Sequence, residues 1–147
     1  MSKIIGLGIV KNNNQKIQEV SKVELIKGKG ILGDRHFHEN NDVRNQITLI
    51  ESENIDYYND KFKTNYTYLD FRRNVITKGI ELNDLVGKTL LIGNIELKGH
   101  DLCKPCRHLE EMLNGKDIIK EFLRRGGLRC EILISGTINL QDKITIF

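Results

Sequence analysis

Residues 103–108, Cys-Lys-Pro-Cys-Arg-His, carry the side chains with the most reactive chemistry in this sequence. A thiolate is both a nucleophile and a soft metal ligand, and nearby cations and helix N-termini lower the pKa of a cysteine. Pro105 cannot continue a preceding helix or strand, so a new element is expected to begin after it. Arg107 and that helix start would favour a thiolate at Cys106. We therefore predict a reactive sulfur at Cys106 rather than a buried structural cysteine.

The Cys103–Cys106 pair admits three chemical interpretations. A thioredoxin-like redox pair is disfavoured, because that motif is expected early in the chain, within a βαβ unit. A zinc site would use His100, Cys103, Cys106 and His108, but four ligands within nine residues are hard to arrange as a tetrahedron. The third interpretation is a single Cys106 thiolate that ligates a softer metal or carries sulfur, with Cys103 as a supporting or resolving thiol. Cys130, in an alternating apolar pattern, is predicted to be a core residue.

Two further segments carry clustered polar groups. Gly33-Asp34-Arg35-His36 lies in a glycine-rich loop that could hold an anion or could be a solvated turn. Arg72-Arg73-Asn74 is predicted within a strand, where one arginine would face inward. Guanidinium groups match phosphate oxygens bidentately, although two solvated surface arginines are an equal alternative. Arg124 and Arg125 could likewise be part of a helix terminus, and this interpretation is favoured for Arg124.

The elements that must position these residues are mostly short strands. A Gly93-Asn94 turn predicts a hairpin over residues 90–97. Further strands are predicted over residues 4–10, 20–26, 46–50, 71–77, 128–134 and 144–146, and helices over 52–62, 109–113 and 117–125, the last capped by Gly126-Gly127. Without βαβ alternation, we expect a mainly β, mostly antiparallel, barrel-like fold with a few short helices on its rim.

Composition narrows the functional classes. A chain of 147 residues with 39% hydrophobic and 29% charged residues fits one domain, residues 1–147. No apolar run approaches the roughly 20 residues of a membrane helix, so no membrane partner is expected. Three cysteines and an N-terminus without a secretory layout place the protein in the cytoplasm. A net charge of +3 permits an anionic small molecule, and no motif indicates nucleic-acid binding.

In order along residues 4–147, the motifs resemble a MOSC domain, the C-terminal domain of molybdenum cofactor sulfurases. The motifs that carry the resemblance are Gly33-Asp34-Arg35-His36, Gln46-Ile47-Thr48-Leu49-Ile50-Glu51, Phe71-Arg72-Arg73-Asn74, Leu85-Val86-Gly87, Ile92-Gly93, Leu102 to His108, Arg125-Gly126-Gly127-Leu128 and Gly136-Thr137-Ile138. The resemblance is to a small, stand-alone bacterial MOSC protein. It implies a fold like the β-barrel domain of pyruvate kinase.

The resemblance also implies a site. The cofactor would be a molybdopterin-type molybdenum cofactor, an anionic pterin, and the matching cysteine, Cys106, would ligate molybdenum or carry sulfur. The positions expected to bind the cofactor are Arg35, His36, Arg72, Arg73, Asn74, Arg107 and His108. Relatives reduce N–O bonds of N-hydroxylated compounds, so the first hypothesis is such a reduction with a separate electron-transfer partner. The alternatives are a sulfur or cofactor carrier, with a Cys106 persulfide formed by a cysteine desulfurase partner, and a zinc-stabilised structural domain.

Overall fold

The computed structural model describes residues 1–13 and 15–146. Eleven strands and three α-helices lie in this part of the chain. The strands are β1 (Lys3–Ile9), β2 (Gln18–Glu19), β3 (Lys22–Ile26), β4 (Gly30–Ile31), β5 (Ile47–Glu51), β6 (Val75–Lys78), β7 (Thr89–Ile92), β8 (Ile95–Leu102), β9 (Leu128–Ile132), β10 (Gly136–Asn139) and β11 (Ile144–Ile146). The helices are α1 (Ser52–Phe62), α2 (Arg107–Leu113) and α3 (Ile118–Phe122). Among the described residues, no helix is both long and apolar enough to cross a membrane.

The strands form two sheets that curl into a half-barrel, which confirms the predicted mainly β, mostly antiparallel fold. The larger sheet has the order β11-β7-β8-β9-β5-β6-β1-β2, and the smaller one has the order β10-β3-β4. Strands β5 and β6 pair in parallel, and α1 connects them. A parallel pair needs such a crossover, because a tight turn can only reverse the chain.

Apolar alternation explains the best-defined strands. In β9, Leu128, Cys130 and Ile132 are buried and the residues between them are partly exposed, as expected for a strand with one face on the core. The predicted hairpin is confirmed, with β7 and β8 joined at Gly93-Asn94. One core cluster fills the curled sheet. A second, aromatic cluster lies where the helices pack on the sheet and includes Phe71 and Phe122, whose ring centroids are 4.5 Å apart.

The predicted strand over residues 71–77 is wrong in its first half. Residues Tyr68–Phe71 form a 3-10 helix, Arg72 has a left-handed backbone (φ 63°), and the strand begins at Val75. A capping box explains the turn, because the Asp70 carboxylate accepts a hydrogen bond from the Thr67 amide at 2.8 Å. Strand alternation therefore does not orient the two arginines.

Two other predicted elements are shorter than expected. The predicted strand over 20–26 begins two residues late, since β3 spans Lys22–Ile26 and pairs with β10. The last helix spans Ile118–Phe122 and its C-cap is Leu123, so Gly126-Gly127 is not the cap. These glycines instead allow close backbone contacts. The Gly127 carbonyl accepts a hydrogen bond from the Cys103 amide at 2.7 Å. This contact holds residues 103–108, which we call the cysteine segment, against the start of β9.

Replacement of Gly127 by alanine should destabilise the protein strongly. Gly127 has φ +112°, and an added Cβ would lie 2.1 Å from the Leu49 carbonyl oxygen. Backbone strain together with this clash should lower the free energy of unfolding by about 3–5 kcal/mol, measured by urea denaturation. Gly87→Ala is the matched control, because Gly87 has φ +79° but open space around it, and only about 1–2 kcal/mol is expected there. Equal losses in the two variants would contradict the close contact at Gly127.

Candidate functional site

A buried hydrogen-bond network, which we call the Asn74 joint, comprises the side chains of Asn74, Thr48 and Asp34. Asn74 Oδ1 accepts hydrogen bonds from the amide and the hydroxyl of Thr48, both at 3.1 Å. Asn74 Nδ2 donates to the Gly8 carbonyl at 3.1 Å and to Asp34 Oδ1 at 3.4 Å. Asp34 Oδ1 also accepts from the Val10 amide at 2.9 Å. We call residues 32–46, between β4 and β5, the Asp34 loop. The joint thus fixes this loop and the start of β6 against β1 and β5.

Three of the arginines predicted to bind a cofactor lie close together. Burial lowers the pKa of Arg35, and the positive charges of Arg72 and Arg73 lower it further, while Asp34 opposes them. A guanidinium group feels neighbouring charges in this way only when they lie near it. The hydrogen bond between Asp34 and Asn74 likewise holds the loop that carries Arg35 next to the loop that carries Arg72 and Arg73.

His36 and a further arginine, Arg129, belong to the same group. Burial lowers the pKa of His36, followed by the charge of Arg35, and Arg129 and Arg72 act in the same direction. We call Arg35, His36, Arg72, Arg73 and Arg129 the basic cluster. Within residues 1–13 and 15–146, none of its members forms a salt bridge.

Hydrogen bonds position two of these arginines without neutralising them. Arg73 Nε donates to the Gly126 carbonyl at 2.8 Å, which links the arginine to the turn before β9. Arg72 makes long contacts of 3.4 Å to the carbonyls of Asn13 and Gln15. Its Nε is buried and has no hydrogen-bond partner among the described residues. No carboxylate in the described residues therefore neutralises the charge of these two guanidinium groups.

The cysteines fall into two environments. Cys106 is exposed and caps α2, where its Sγ accepts a hydrogen bond from the Leu109 amide at 3.4 Å. Cys103 is buried, and burial raises the pKa of its thiol, although Arg73 and Arg129 oppose this shift. Cys130 lies in the core as predicted, and burial raises the pKa of its thiol as well. Of the three thiols, Cys106 is therefore the one that a partner molecule can reach.

The other predicted site residues are less closely placed. Arg107 and His108 are exposed in the first turn of α2, next to Cys106, and their contact with a cofactor stays a prediction. The zinc interpretation finds no support, since no three His, Cys, Asp or Glu side chains within the described ranges could hold one metal ion. His100 Nε2 instead lies 2.8 Å from a carboxylate oxygen of Glu131 on β9.

Arg129 is the member of the basic cluster that sequence reasoning missed. It lies on β9 opposite Thr48 of β5 and Asp101 of β8. Its charge helps to lower the pKa of His36 and opposes the raised pKa of Cys103, and its Nη1 donates to the Arg44 carbonyl at 3.2 Å. The available signal was its position directly after the Gly-Gly-Leu motif, but only strand pairing identifies its neighbours.

The pKa of His36 should respond to anions. Because burial and cations hold it below the ordinary histidine value, the unfolded chain binds this proton first as the pH falls below about 6.5, and folded stability is lost there. A phosphate-type anion in the basic cluster should raise the pKa of His36, measured by NMR titration with and without inorganic pyrophosphate. His38, which lies two residues away in the same loop and is also exposed, is the internal control. An unchanged His36, or an equal shift at His38, would contradict anion binding by the cluster.

Solved structures share this architecture along the whole chain. The crystal structure of YuaD from Bacillus subtilis superimposes with a TM-score of 0.80 at 20% identity, over 98% of this chain and 94% of that one. YiiM from Geobacillus stearothermophilus gives 0.79 at 17% identity, over 100% and 75% of the two chains. YiiM from Escherichia coli gives 0.74 at 15% identity, over 99% and 69%. At these identities, the likeness establishes the fold alone.

The amino-acid sequence gives the family. No curated protein matches the chain. The sequence-family model of the MOSC domain matches residues 33–145. This range contains most of the Asp34 loop, Arg72 to Asn74 and the cysteine segment. Since this match covers well over half of the sequence, the chain belongs to the MOSC domain family.

Proposed function

We propose that the protein binds a molybdopterin-type molybdenum cofactor and reduces N-hydroxylated compounds with electrons from a redox partner. The observation that carries the proposal is the exposed Cys106 thiol at the start of α2. Three residues earlier, Cys103 lies within electrostatic reach of Arg73 and Arg129. A soft metal ligand thus lies close in sequence to a residue that borders an anion-binding group. Membership of the MOSC family supports the choice of cofactor.

The donor set fits an anionic pterin. The arginines of the basic cluster lie near one another without a carboxylate partner in the described part of the chain, and Arg72 Nε is buried and unpaired. Guanidinium groups bind phosphate oxygens bidentately, and a dianion would offset the mutual repulsion of these cations. Arg35, Arg72 and Arg73 would therefore hold the phosphate, with His36 and Arg129 beside them.

The remaining residues would have separate roles. When bound, the cofactor would supply two-electron redox chemistry that converts an N–OH group into N–H and water. Cys106 would ligate the metal through a thiolate, which suits a soft ion, and the Leu109 amide would orient its sulfur. Asn74 would act mainly by holding the loops, since its amide is engaged in the joint. Arg107 and His108 would contact the cofactor next to Cys106.

Loss of the Cys106 sulfur should remove the metal. We expect molybdenum and pterin in near-equal amounts in wild-type protein from a cofactor-producing host, and loss of molybdenum and of N-hydroxy reduction in Cys106→Ala. The measurements are metal analysis, fluorescence of the oxidised pterin and turnover with an artificial electron donor.

Cys130→Ala is the matched control, because it removes a thiol buried in the core and should retain both molybdenum and pterin. Cys106→Ser keeps the shape of the side chain and tests whether sulfur itself is needed. Wild-type molybdenum content and turnover in Cys106→Ala would overturn the proposed role of this residue.

A sulfur or cofactor carrier is the second candidate function. The exposure of Cys106 favours it, because a sulfur donor protein could reach this thiol. All three cysteines are free, which fits the cytoplasm that we propose for the protein. The burial of Cys103 disfavours sulfur release by formation of a Cys103–Cys106 disulfide, so a separate acceptor would have to take the sulfur.

A carrier should gain one sulfur atom at Cys106. Treatment with a cysteine desulfurase and cysteine should add the mass of one sulfur to wild type and to Cys130→Ala, but not to Cys106→Ala, measured by intact mass spectrometry. Added sulfur that dithiothreitol removes would identify a persulfide. No added sulfur in wild type, or the same gain in Cys106→Ala, would count against the carrier.

A further inference from the structure

A cleft of about 450 Å³ opens between the segment after β1, the 3-10 helix at residues 68–71 and the last turn of α2. Ile17, Leu69, Met112 and Leu113 give it a largely apolar wall, and the ring of Tyr66 lies beside them. Its volume falls within the range of small-molecule sites, which are commonly apolar with a few fixed polar groups. Cys106 does not line it, so the cleft is distinct from the thiol.

Arg72 is the group that gives this cleft chemical selectivity. Its guanidinium lies at the cleft, has no salt bridge within the described residues and keeps Nε buried without a partner. Its left-handed backbone (φ 63°) ends the 3-10 helix, where the Arg72 amide donates to the Leu69 carbonyl at 3.0 Å. Its contact to the Met112 sulfur, at 3.7 Å, is weak. Weak contacts thus hold the Arg72 guanidinium in place, and they do not use all of its hydrogen-bond donors.

The other charges at the cleft leave a net positive end. Lys16 adds a second cation, whereas Asp70 is the carboxylate among the lining residues. One oxygen of Asp70 is engaged by the Thr67 amide at 2.8 Å. A ligand with an apolar body and one anionic group would therefore pair with Arg72 while its body covers the apolar wall.

The cleft lies at a useful distance from the thiol. Met112 is six residues after Cys106, and at 1.5 Å per residue α2 separates them by about 9 Å along its axis. This is roughly the length of a two-ring aromatic molecule. Binding energy from a part of the substrate remote from the reacting bond can be used for orientation at that bond.

We infer that this cleft anchors the remote end of the organic substrate and selects a planar, largely apolar molecule that carries one carboxylate. This inference rests on the proposed function, since it assigns a substrate class to the same reaction. Arg72 would then have two roles. It would face the cofactor phosphate on one side, as a member of the basic cluster, and the substrate carboxylate on the other.

The test compares two ligands of the same shape, 2-naphthoate and the neutral 2-naphthamide, on the full-length cofactor-loaded protein. The sequence has two methionines, so methyl labelling reports Met112 in the cleft and Met1, which is 89% exposed, as an internal control. We expect the Met112 signal to shift and the Met1 signal to stay. Calorimetry should show naphthoate bound about tenfold or more tighter than naphthamide, as a charge-assisted hydrogen bond predicts.

Two variants test whether Arg72 binds the carboxylate of the ligand and whether Met112 contacts its apolar body. Arg72→Gln should bring the naphthoate-to-naphthamide affinity ratio near one, measured on loaded and cofactor-free protein. Arg124→Gln, which changes an arginine in a separate cleft lined by Glu51 and Asn83, should leave the ratio unchanged. Met112→Ala should weaken both ligands several-fold and preserve the preference for the anion. It provides a separate test if Arg72→Gln folds poorly.

Three results would overturn the inference: an unmoved Met112 signal at saturation, equal affinities in wild type, or exclusion of naphthoate by loaded protein, which would assign the cleft to the cofactor. The proposed function fails separately. Protein that is purified from a cofactor-producing host without molybdenum or pterin, and that still binds naphthoate through Arg72, would contradict the cofactor proposal alone. Active, cofactor-loaded protein that does not bind naphthoate would contradict the cleft inference alone.

Discussion

The buried hydrogen bonds of Asn74 set the geometry on which the basic cluster depends. Its amide satisfies backbone or side-chain groups of Thr48, Gly8 and Asp34, which belong to three separate stretches of chain. These hydrogen bonds lie just before the parallel pairing of β5 with β6 begins at Leu49 and Val75, so they extend the contact between the two chain segments beyond the ladder. A buried polar group that loses its partner costs about 1–3 kcal/mol, so a shorter side chain here would leave several such groups unpaired. The loops that carry Arg35 and Arg73 are therefore fixed by a neutral amide, and no ion pair is needed to hold them.

This arrangement leaves the positive charge of the cluster available. The carboxylate nearest to Arg35, that of Asp34, is already engaged by the Val10 and His36 amides and by Asn74. The cations consequently act on one another, and the lowered pKa values of Arg35 and His36 are the result of burial reinforced by this crowding. Half-buried like charges oppose folding, and such perturbed groups concentrate at functional sites. An anionic ligand would remove the conflict, which is the physical reason to expect one here.

Local patterns were enough to predict the helix over 52–62, the hairpin at Gly93-Asn94 and the alternation of β9, because each depends on residues close together in sequence. Arg72 shows why other features were not predicted. The run from Phe71 to Thr77 has the composition of a strand, but the Thr67–Asp70 capping box and the burial of Phe71 among aromatic rings turn its first residues into a 3-10 helix. Arg129 shows the second cause. Its side chain acquires neighbours only when β9 pairs with β5 and β8, and a single sequence does not specify that pairing.

The two cysteines of the Cys-x-x-Cys pair illustrate how backbone contacts can separate residues of identical chemistry. The Cys103 amide donates to the carbonyl of Gly127, so this residue continues the contact of β8 with β9 and its thiol is buried. Pro105 then turns the chain, and Cys106 begins a helix with its sulfur exposed. The pair therefore combines a buried thiol, on a residue whose backbone amide anchors the segment to Gly127, with an exposed thiol at the start of the following helix.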